Sequence, residues 1–250
     1  MLNIVVPMAG RGARFADAGY KDPKPLIDIH GKRMIEVVIN NLTPICEHRF
    51  IFVCQKKHVL AYNLDAIFAN ACKNYEIVTI NGFTEGAAIT ALKARAFFDN
   101  DAPLMIANSD QWVDLDINNY LQDMENRNLS GSMLTMKASD PKWSYAKVNG
   151  NGYVSEVVEK VVISDEATVG IYNFSKGSDF CYFADFMVKE NIRSNGEFYV
   201  APVYSYMADK GKLLGIYNVG EEANGMYGLG IPTDLNIFLS SEVVNKATSF

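Results

Sequence analysis

The sequence predicts an α/β protein built on one continuous sheet, parallel in its first half and mixed in its second. Three observations carry this. Up to about Asp116, short β-branched runs alternate with helical periodicity in units of the size a right-handed parallel crossover needs. Beyond that point strands dominate, and Asn149-Gly150-Asn151-Gly152 marks a hairpin. No linker, repeat or low-complexity stretch divides the 250 residues, so 1–116 and 117–250 read as halves of a single domain.

Leu2 to Pro7 is apolar without alternation, as a buried parallel strand requires. Met34 to Leu42 places Ile35, Val38, Ile39 and Leu42 on one helical face. His48 to Gln55 reads as strand, His58 to Ala71 as one helix, and Tyr75 to Ile80 as strand. Gly86 to Phe98 is an alanine-rich helix introduced by Asn81-Gly82-Phe83-Thr84-Glu85, and Pro103 to Ala107 is strand again. Gly131 to Lys137, Tyr145 to Val148, Tyr153 to Lys160 and Thr168 to Phe174 follow as strands with few helices between them. Helices resume at Ser178 to Lys189 and Phe198 to Ala208, a last strand runs from Leu213 to Val219, and a closing helix starts near Pro232.

The glycine loop after the first strand is the chemical centre. Val5-Val6-Pro7-Met8-Ala9-Gly10-Arg11-Gly12-Ala13-Arg14-Phe15 breaks from strand into a turn where two residues lack Cβ, so amide N–H groups can approach phosphate oxygens. Arg11, Arg14, Lys21 and Lys24 supply cations, and prolines on both sides fix the backbone of Lys24. A dinucleotide fingerprint needs glycine where Phe15 stands, and a P-loop needs Gly-Lys-Ser/Thr; neither is present.

The net charge of −6 argues against a nucleic-acid or membrane-surface binder, so this basic cluster is local and suited to a small anion. Cys46, Cys54, Cys72 and Cys181 show no CxxC spacing and are expected as buried, reduced thiols. The first apolar run is too short for a signal peptide and no later run could span a bilayer, which predicts a cytoplasmic protein. Homo-oligomerisation stays open.

Asn108-Ser109-Asp110 follows a predicted parallel strand, placing Asp110 where open α/β sheets bind ligands and where one carboxylate can hold Mg²⁺ beside phosphate and water. The plainer reading of that aspartate is a helix cap. Thr84-Glu85-Gly86-Ala87-Ala88 opens a helix with small residues that let backbone meet a flat base edge, though Thr84 also serves simply as an N-cap. Glu159-Lys160 closes a hairpin strand near Trp143, Tyr145 and Tyr153, where a solvated strand end is the ordinary expectation. His30, His48 and His58 have no spacing for a triad or a metal.

Taken in order, these motifs, with Val169-Gly170-Ile171-Tyr172 and Gly196-Glu197-Phe198-Tyr199, resemble the nucleotidyltransferase family that activates sugar phosphates and related small phosphates. The resemblance spans nearly the whole chain. It implies a Rossmann-like, glycosyltransferase-A-like three-layer sandwich with a mixed, mainly parallel central sheet, residues 1–116 binding the nucleotide and 117–250 the acceptor. By resemblance, Met8, Ala9, Gly10, Arg11 and Gly12 cradle the nucleotide phosphates with Asn108 and Ser109 beside them. Glu85, Gly86, Ala87 and Ala88 meet the base, and Arg14 and Lys24 act on the reacting phosphates. Asp110 holds Mg²⁺, while Tyr145, Glu159, Lys160 and Glu197 face a small phosphorylated acceptor, with Lys160 at its phosphate.

Three positions depart from the family's pattern. Val161 stands where proline is frequent, Ala146 where hexose-handling members often have glycine, and Gly228-Leu229-Gly230 where many supply a second metal-binding aspartate. Ala146 beside Trp143 is expected to narrow the acceptor site. The resemblance therefore leans to CTP and to cytidylyltransferases acting on phosphocholine or on precursors of capsule and other surface polysaccharides. The alternatives are a sugar-1-phosphate uridylyl- or thymidylyltransferase, a glycosyltransferase using a finished nucleotide sugar, or a non-catalytic nucleotide-binding protein. The glycosyltransferase should carry Asp-x-Asp, and Asp110-Gln111-Trp112 does not.

Overall fold

Strand β1 (Leu2–Pro7) alternates its burial between two cores: Leu2, Ile4 and Val6 enter one and Val5 the other. A strand apolar on both faces belongs in the middle of a sheet covered by helices on each side. The computed structural model, which describes residues 1–250, shows this arrangement. After β1 come α1 (Ala13–Asp17), the short β2 (Asp28–Ile29) and β3 (Lys32–Arg33), α2 (Met34–Leu42), β4 (His48–Gln55), α3 (Lys56–Tyr62), α4 (Leu64–Ala71), β5 (Tyr75–Ile80), α5 (Ala87–Leu92), β6 (Leu104–Ala107) and β7 (Gln111–Val113). The second half runs through α6 (Ile117–Asn126), β8 (Gly131–Lys137), β9 (Ser144–Val148), β10 (Val154–Glu159), β11 (Glu166–Phe174), α7 (Gly177–Lys189), α8 (Val203–Asp209), β12 (Leu214–Glu222), β13 (Gly225–Gly228), α9 (Pro232–Ser240) and α10 (Val243–Thr248).

One sheet of 11 strands crosses both halves in the order β5-β4-β1-β6-β11-β8-β12-β13-β7, with the β9–β10 hairpin branching from β11. The first four strands are parallel, β11 runs antiparallel to its neighbours β6 and β8, and β12 is parallel to β8. The expected mixed, mainly parallel sandwich is therefore present. Helices α2, α4 and α6 cover one face and α5, α7 and α8 the other. A third, smaller core gathers Phe15, Met34, Trp112, Leu229, Leu235 and Phe238 under α9 and α10.

The structure corrects several element boundaries. The helix expected from His58 to Ala71 breaks at Asn63, which takes a left-handed φ of 48° and caps two short helices. The alanine-rich helix stops at Leu92, and α8 starts at Val203 rather than Phe198. Strands β7 and β13 and helix α6 were not legible in the sequence. Cys46 is exposed, against the expectation of burial, and all four cysteines are free. No helix is long and apolar enough to cross a membrane.

Candidate active site

Strands β1 and β6 pair in parallel, Val5 opposite Ile106, so the loops leaving their carboxyl ends emerge side by side. One carries Met8 to Gly12 and the other Asn108-Ser109-Asp110. On the far side of β1, β4 ends in buried Gln55, whose Nε2 donates to the Ala9 carbonyl at 2.8 Å and fixes the glycine loop. Gly12 takes a left-handed φ of 62°, and a Cβ there would stand 3.6 Å from Lys24 Cβ. Glycine thus lets the loop reverse and the Pro23-Lys24-Pro25 turn close against it.

This packing brings Lys24 Nζ to 2.6 Å from Asp110 Oδ2, with the two side chains only 22% and 25% exposed. A cleft of about 630 Å³ opens over the pair, bordered by Met8, Gly10, Arg11, Gly12, Arg14, Lys21, Lys24, Ala87, Asn108, Ser109 and Asp110. Most of the residues assigned to the triphosphate from sequence are therefore brought together. Ala9 is not among them: its side chain is buried and its carbonyl is held by Gln55. The Arg11 guanidinium lies 4.7 Å over the Phe83 ring, at the cleft's rim.

The expected base-reading loop is partly consumed by the protein. The Phe198 amide donates to the Glu85 carbonyl at 2.7 Å, and the Ala88 amide donates to the Phe198 carbonyl at 3.1 Å. Gly86 is wedged between them at φ 122°, where a Cβ would lie 2.4 Å from the Phe198 oxygen. Glu85 turns its carboxylate outward to Arg193, and Ala88 is fully buried in the core. Glu85 and Gly86 therefore shape the loop rather than border the cleft, and Ala87 is the member that lines it. The amides of Gly86 and Ala87 remain without a backbone acceptor.

A second pocket of about 260 Å³ adjoins the first, sharing Ala87, Asn108 and Tyr199, and is walled by Gln111, Trp143, Ser144, Glu159, Lys160, Thr168 and Tyr172. Strand β11 makes this possible by pairing antiparallel with β6, Ile171 opposite Ala107, which sets Gly170 against Asn108. Glu159 is 9% exposed and accepts from the Ser144 hydroxyl. Burial pushes its carboxyl above the ordinary glutamate value, with Ser144 and the Lys160 charge pulling the other way. Lys160 follows β10 with φ 58° and donates to the Tyr199 hydroxyl at 3.0 Å, a bond that raises its pKa and holds its charge. Glu197 borders the larger cleft and also an opening it shares with Trp143 and Lys160, so it stands at the junction.

Two acceptor-side expectations need correction. Tyr145 is fully buried and donates its hydroxyl to the Asp140 carbonyl at 2.7 Å, so it supports the hairpin and does not reach the pocket. Ala146 is fully buried on the opposite face of β9 and does not narrow the site; Trp143 does border it. Gln111, Thr168, Tyr172, Tyr199 and, in the larger cleft, His58 were not assigned from sequence. The signals for three of them were adjacency to Asp110 and membership of Val169-Gly170-Ile171-Tyr172 and Gly196-Glu197-Phe198-Tyr199.

For a divalent cation, the carboxylates bordering the larger cleft are Asp22, Asp110 and Glu197, and of these Asp110 stands beside Lys24 on the loop leaving β6. A Cβ on Gly230 would stand 2.8 Å from Asp110 Oδ2, so glycine here lets the chain pass against Asp110 without contributing a ligand. Asp234 packs against Gly228, and burial raises its pKa despite nearby Lys142 and Arg14. No three acidic, histidine or cysteine residues gather in an arrangement that could hold a metal ion by themselves. Mg²⁺, which takes one or two carboxylates and completes its shell with phosphate and water, fits such a site, and Asp110 is the residue that would hold it.

The family description Nucleotidyl transferase matches residues 4–212. No curated protein matches the chain. Among solved structures, a nucleoside-diphosphate-sugar pyrophosphorylase from Vibrio cholerae RC9 superimposes with a TM-score of 0.82 at 23% identity, over 95% of this chain and 100% of that one. A Bacillus anthracis protein provisionally assigned as a glucose-1-phosphate thymidylyltransferase, solved with sucrose, gives 0.70 at 16% identity, over 94% and 93% of the two chains. The inositol-1-phosphate CTP transferase of T. maritima gives 0.71 at 14% identity, over 99% and 94%.

Proposed function

The chain belongs to the nucleotidyl transferase family, and from that premise we propose that it transfers a nucleoside monophosphate from a triphosphate, CTP being favoured, to a small phosphorylated acceptor with release of pyrophosphate. The observation that carries the reading is the junction of two unequal clefts. The larger one holds Arg14 and the Lys24–Asp110 pair, the smaller one Lys160 and Glu159, and both share Ala87, Asn108 and Tyr199. A triphosphate and a compact acceptor laid in them bring their phosphates together at the shared wall.

The chemistry asks little proton transfer of the protein. A phosphate oxygen of the acceptor is already ionised near neutral pH, so it attacks the α-phosphorus directly. A new phosphorus–oxygen bond forms there as the bond to the β-phosphate's bridging oxygen breaks, and that electron pair leaves with pyrophosphate. Arg14 and Lys24 meet the charge that builds on the transferring and leaving groups, and Lys160 aligns the incoming phosphate. When bound at Asp110, Mg²⁺ supplies further charge neutralisation. Glu159 accepts hydrogen bonds from the acceptor's body.

CTP and a product destined for capsule or other surface polysaccharide are the donor and use that the motif resemblance favours. A glycosyltransferase reading finds no support at Asp110-Gln111-Trp112, whose last two residues are buried and offer no carboxylate. Pyrophosphate release measured with the four common triphosphates against a panel of phosphorylated acceptors tests the proposal. Release that requires both substrates supports it; release or nucleotide loss indifferent to the acceptor removes it.

A further inference from the structure

Two residues that line the smaller pocket each keep a buried nitrogen donor with no partner in the protein: Nε2 of Gln111, a residue only 5% exposed, and the indole Nε1 of Trp143. Buried N–H groups without an acceptor are rare, because each keeps the cost of leaving water without the return of a bond. Gln111 is not a loose side chain. It lies on β7, paired with Gly228 of β13, and a Cβ at residue 170 would stand 2.6 Å from its Oε1. Gly170, at φ 78°, makes the room in which this amide sits.

Of the three aromatic rings on this wall, Tyr172 packs against Tyr204, and the other two already carry a lysine. Lys142 Nζ stands 4.9 Å over the Trp143 ring and Lys160 Nζ 5.1 Å over the Tyr199 ring. A quaternary ammonium group is recognised by such faces, and here the protein's own ammonium groups cover both and repel a second cation. What the pocket offers is N–H donors, two lysines and one buried carboxylate. This combination suits oxygen.

Resting on the nucleotidyltransferase reading, we infer that Gln111 and Trp143 select the acceptor. The part of the acceptor remote from its phosphate carries hydrogen-bond-accepting oxygen, from hydroxyl or carboxylate groups, and a phosphorylated quaternary amine is rejected. Gln111 Nε2 and Trp143 Nε1 each donate to such an oxygen, while Glu159 accepts from a neighbouring hydroxyl.

The test is steady-state kinetics with phosphorylated polyols and sugars, phosphorylated hydroxy acids, and phosphocholine, using the full chain and its Gln111→Leu, Gln111→Glu and Trp143→Phe variants. The wild type is expected to use a member of the first two groups and not phosphocholine. Gln111→Leu and Trp143→Phe should each raise the acceptor KM by about tenfold while leaving the triphosphate KM within about twofold. Gln111→Glu separates the two oxygen sources, since a carboxylate there accepts from a polyol hydroxyl but repels an acid. Trp143→Phe keeps the ring, so it reads the point even if Gln111→Leu yields no folded protein. Efficient use of phosphocholine, or an unchanged acceptor KM in the folded variants, overturns the inference and leaves nucleotidyl transfer standing. No pyrophosphate from the wild type with any pairing overturns both.

Discussion

Replacing Lys24 with alanine separates a structural role from a chemical one. At an effective dielectric of about 20, charges 2.6 Å apart attract by roughly 6 kcal/mol before desolvation is counted. Both groups give up water to meet, and the cleft over them is open, so Asp110 recovers hydration once its partner is gone. The net loss of stability is about 1 kcal/mol, which for a chain of this size lowers Tm by about 2–4 °C. The same deletion removes a cation from the transferring phosphates, a loss on the order of a hundredfold in kcat/KM, or about 2.7 kcal/mol. Coupled pyrophosphate release and a thermal melt on the same preparation read both numbers. Turnover like the wild type's, or turnover lost only in proportion to unfolded protein, refutes the reasoning.

Three further perturbations follow from the geometry. Ala87→Val should raise the triphosphate KM by about tenfold at nearly unchanged Tm, whereas Ala88→Val, in a fully buried position, should lower Tm first; the reverse pattern would move the base elsewhere. Asp110→Ala should nearly abolish magnesium-dependent turnover while Asp234→Ala costs at most about tenfold, and equal losses that added Mg²⁺ partly restores would make Asp234 a ligand. Burial raises the Glu159 carboxyl, so between the unfolded value near about 4.3 and the raised one the folded chain binds more protons, and stability falls as pH rises through that window. Glu159→Gln should flatten the slope of Tm against pH there, and in the wild type the acceptor KM should climb as pH drops through the raised value. Identical slopes in the two proteins would contradict this.

The parallel half was legible because its elements follow single rules. The burial of β1 and of Phe50 to Cys54 in β4 shows as unbroken apolar runs, the half-buried β5 as a short β-branched run, and α2 as a single stripe, so their bounds matched. Where tertiary context decides, the pattern was silent. Apolar periodicity runs straight through Asn63, and nothing local shows that its backbone turns left-handed. Strand β7 is three residues long and earns its place by pairing with Met226, Tyr227 and Gly228, far along the chain. Helix α8 starts late because Phe198 is tied by its amide and carbonyl to the loop around Gly86, and the chain turns through Val200 to Pro202 before the helix begins. The same divide runs through the site. Arg14, Lys24 and Asp110 are visible as charges beside a glycine loop, between prolines and after a strand, and the structure brings them to one cleft. Tyr145 misled because β9 is covered on both faces, which sends Tyr145 and Ala146 into opposite cores. Gln111 stayed hidden because its unpaired amide depends on the backbone of Gly170, reached only through the β6–β11 pairing.

The most direct measurement follows a label on the α-phosphorus. A triphosphate labelled there is incubated with the protein, Mg²⁺ and a phosphorylated acceptor, and products are separated and counted. The account predicts that label moves into a diphosphate-linked nucleotide–acceptor product, mole for mole with pyrophosphate, and that omitting the acceptor stops both. Label appearing as free nucleoside monophosphate, or remaining in a nucleoside diphosphate while the γ-phosphate moves, would contradict it.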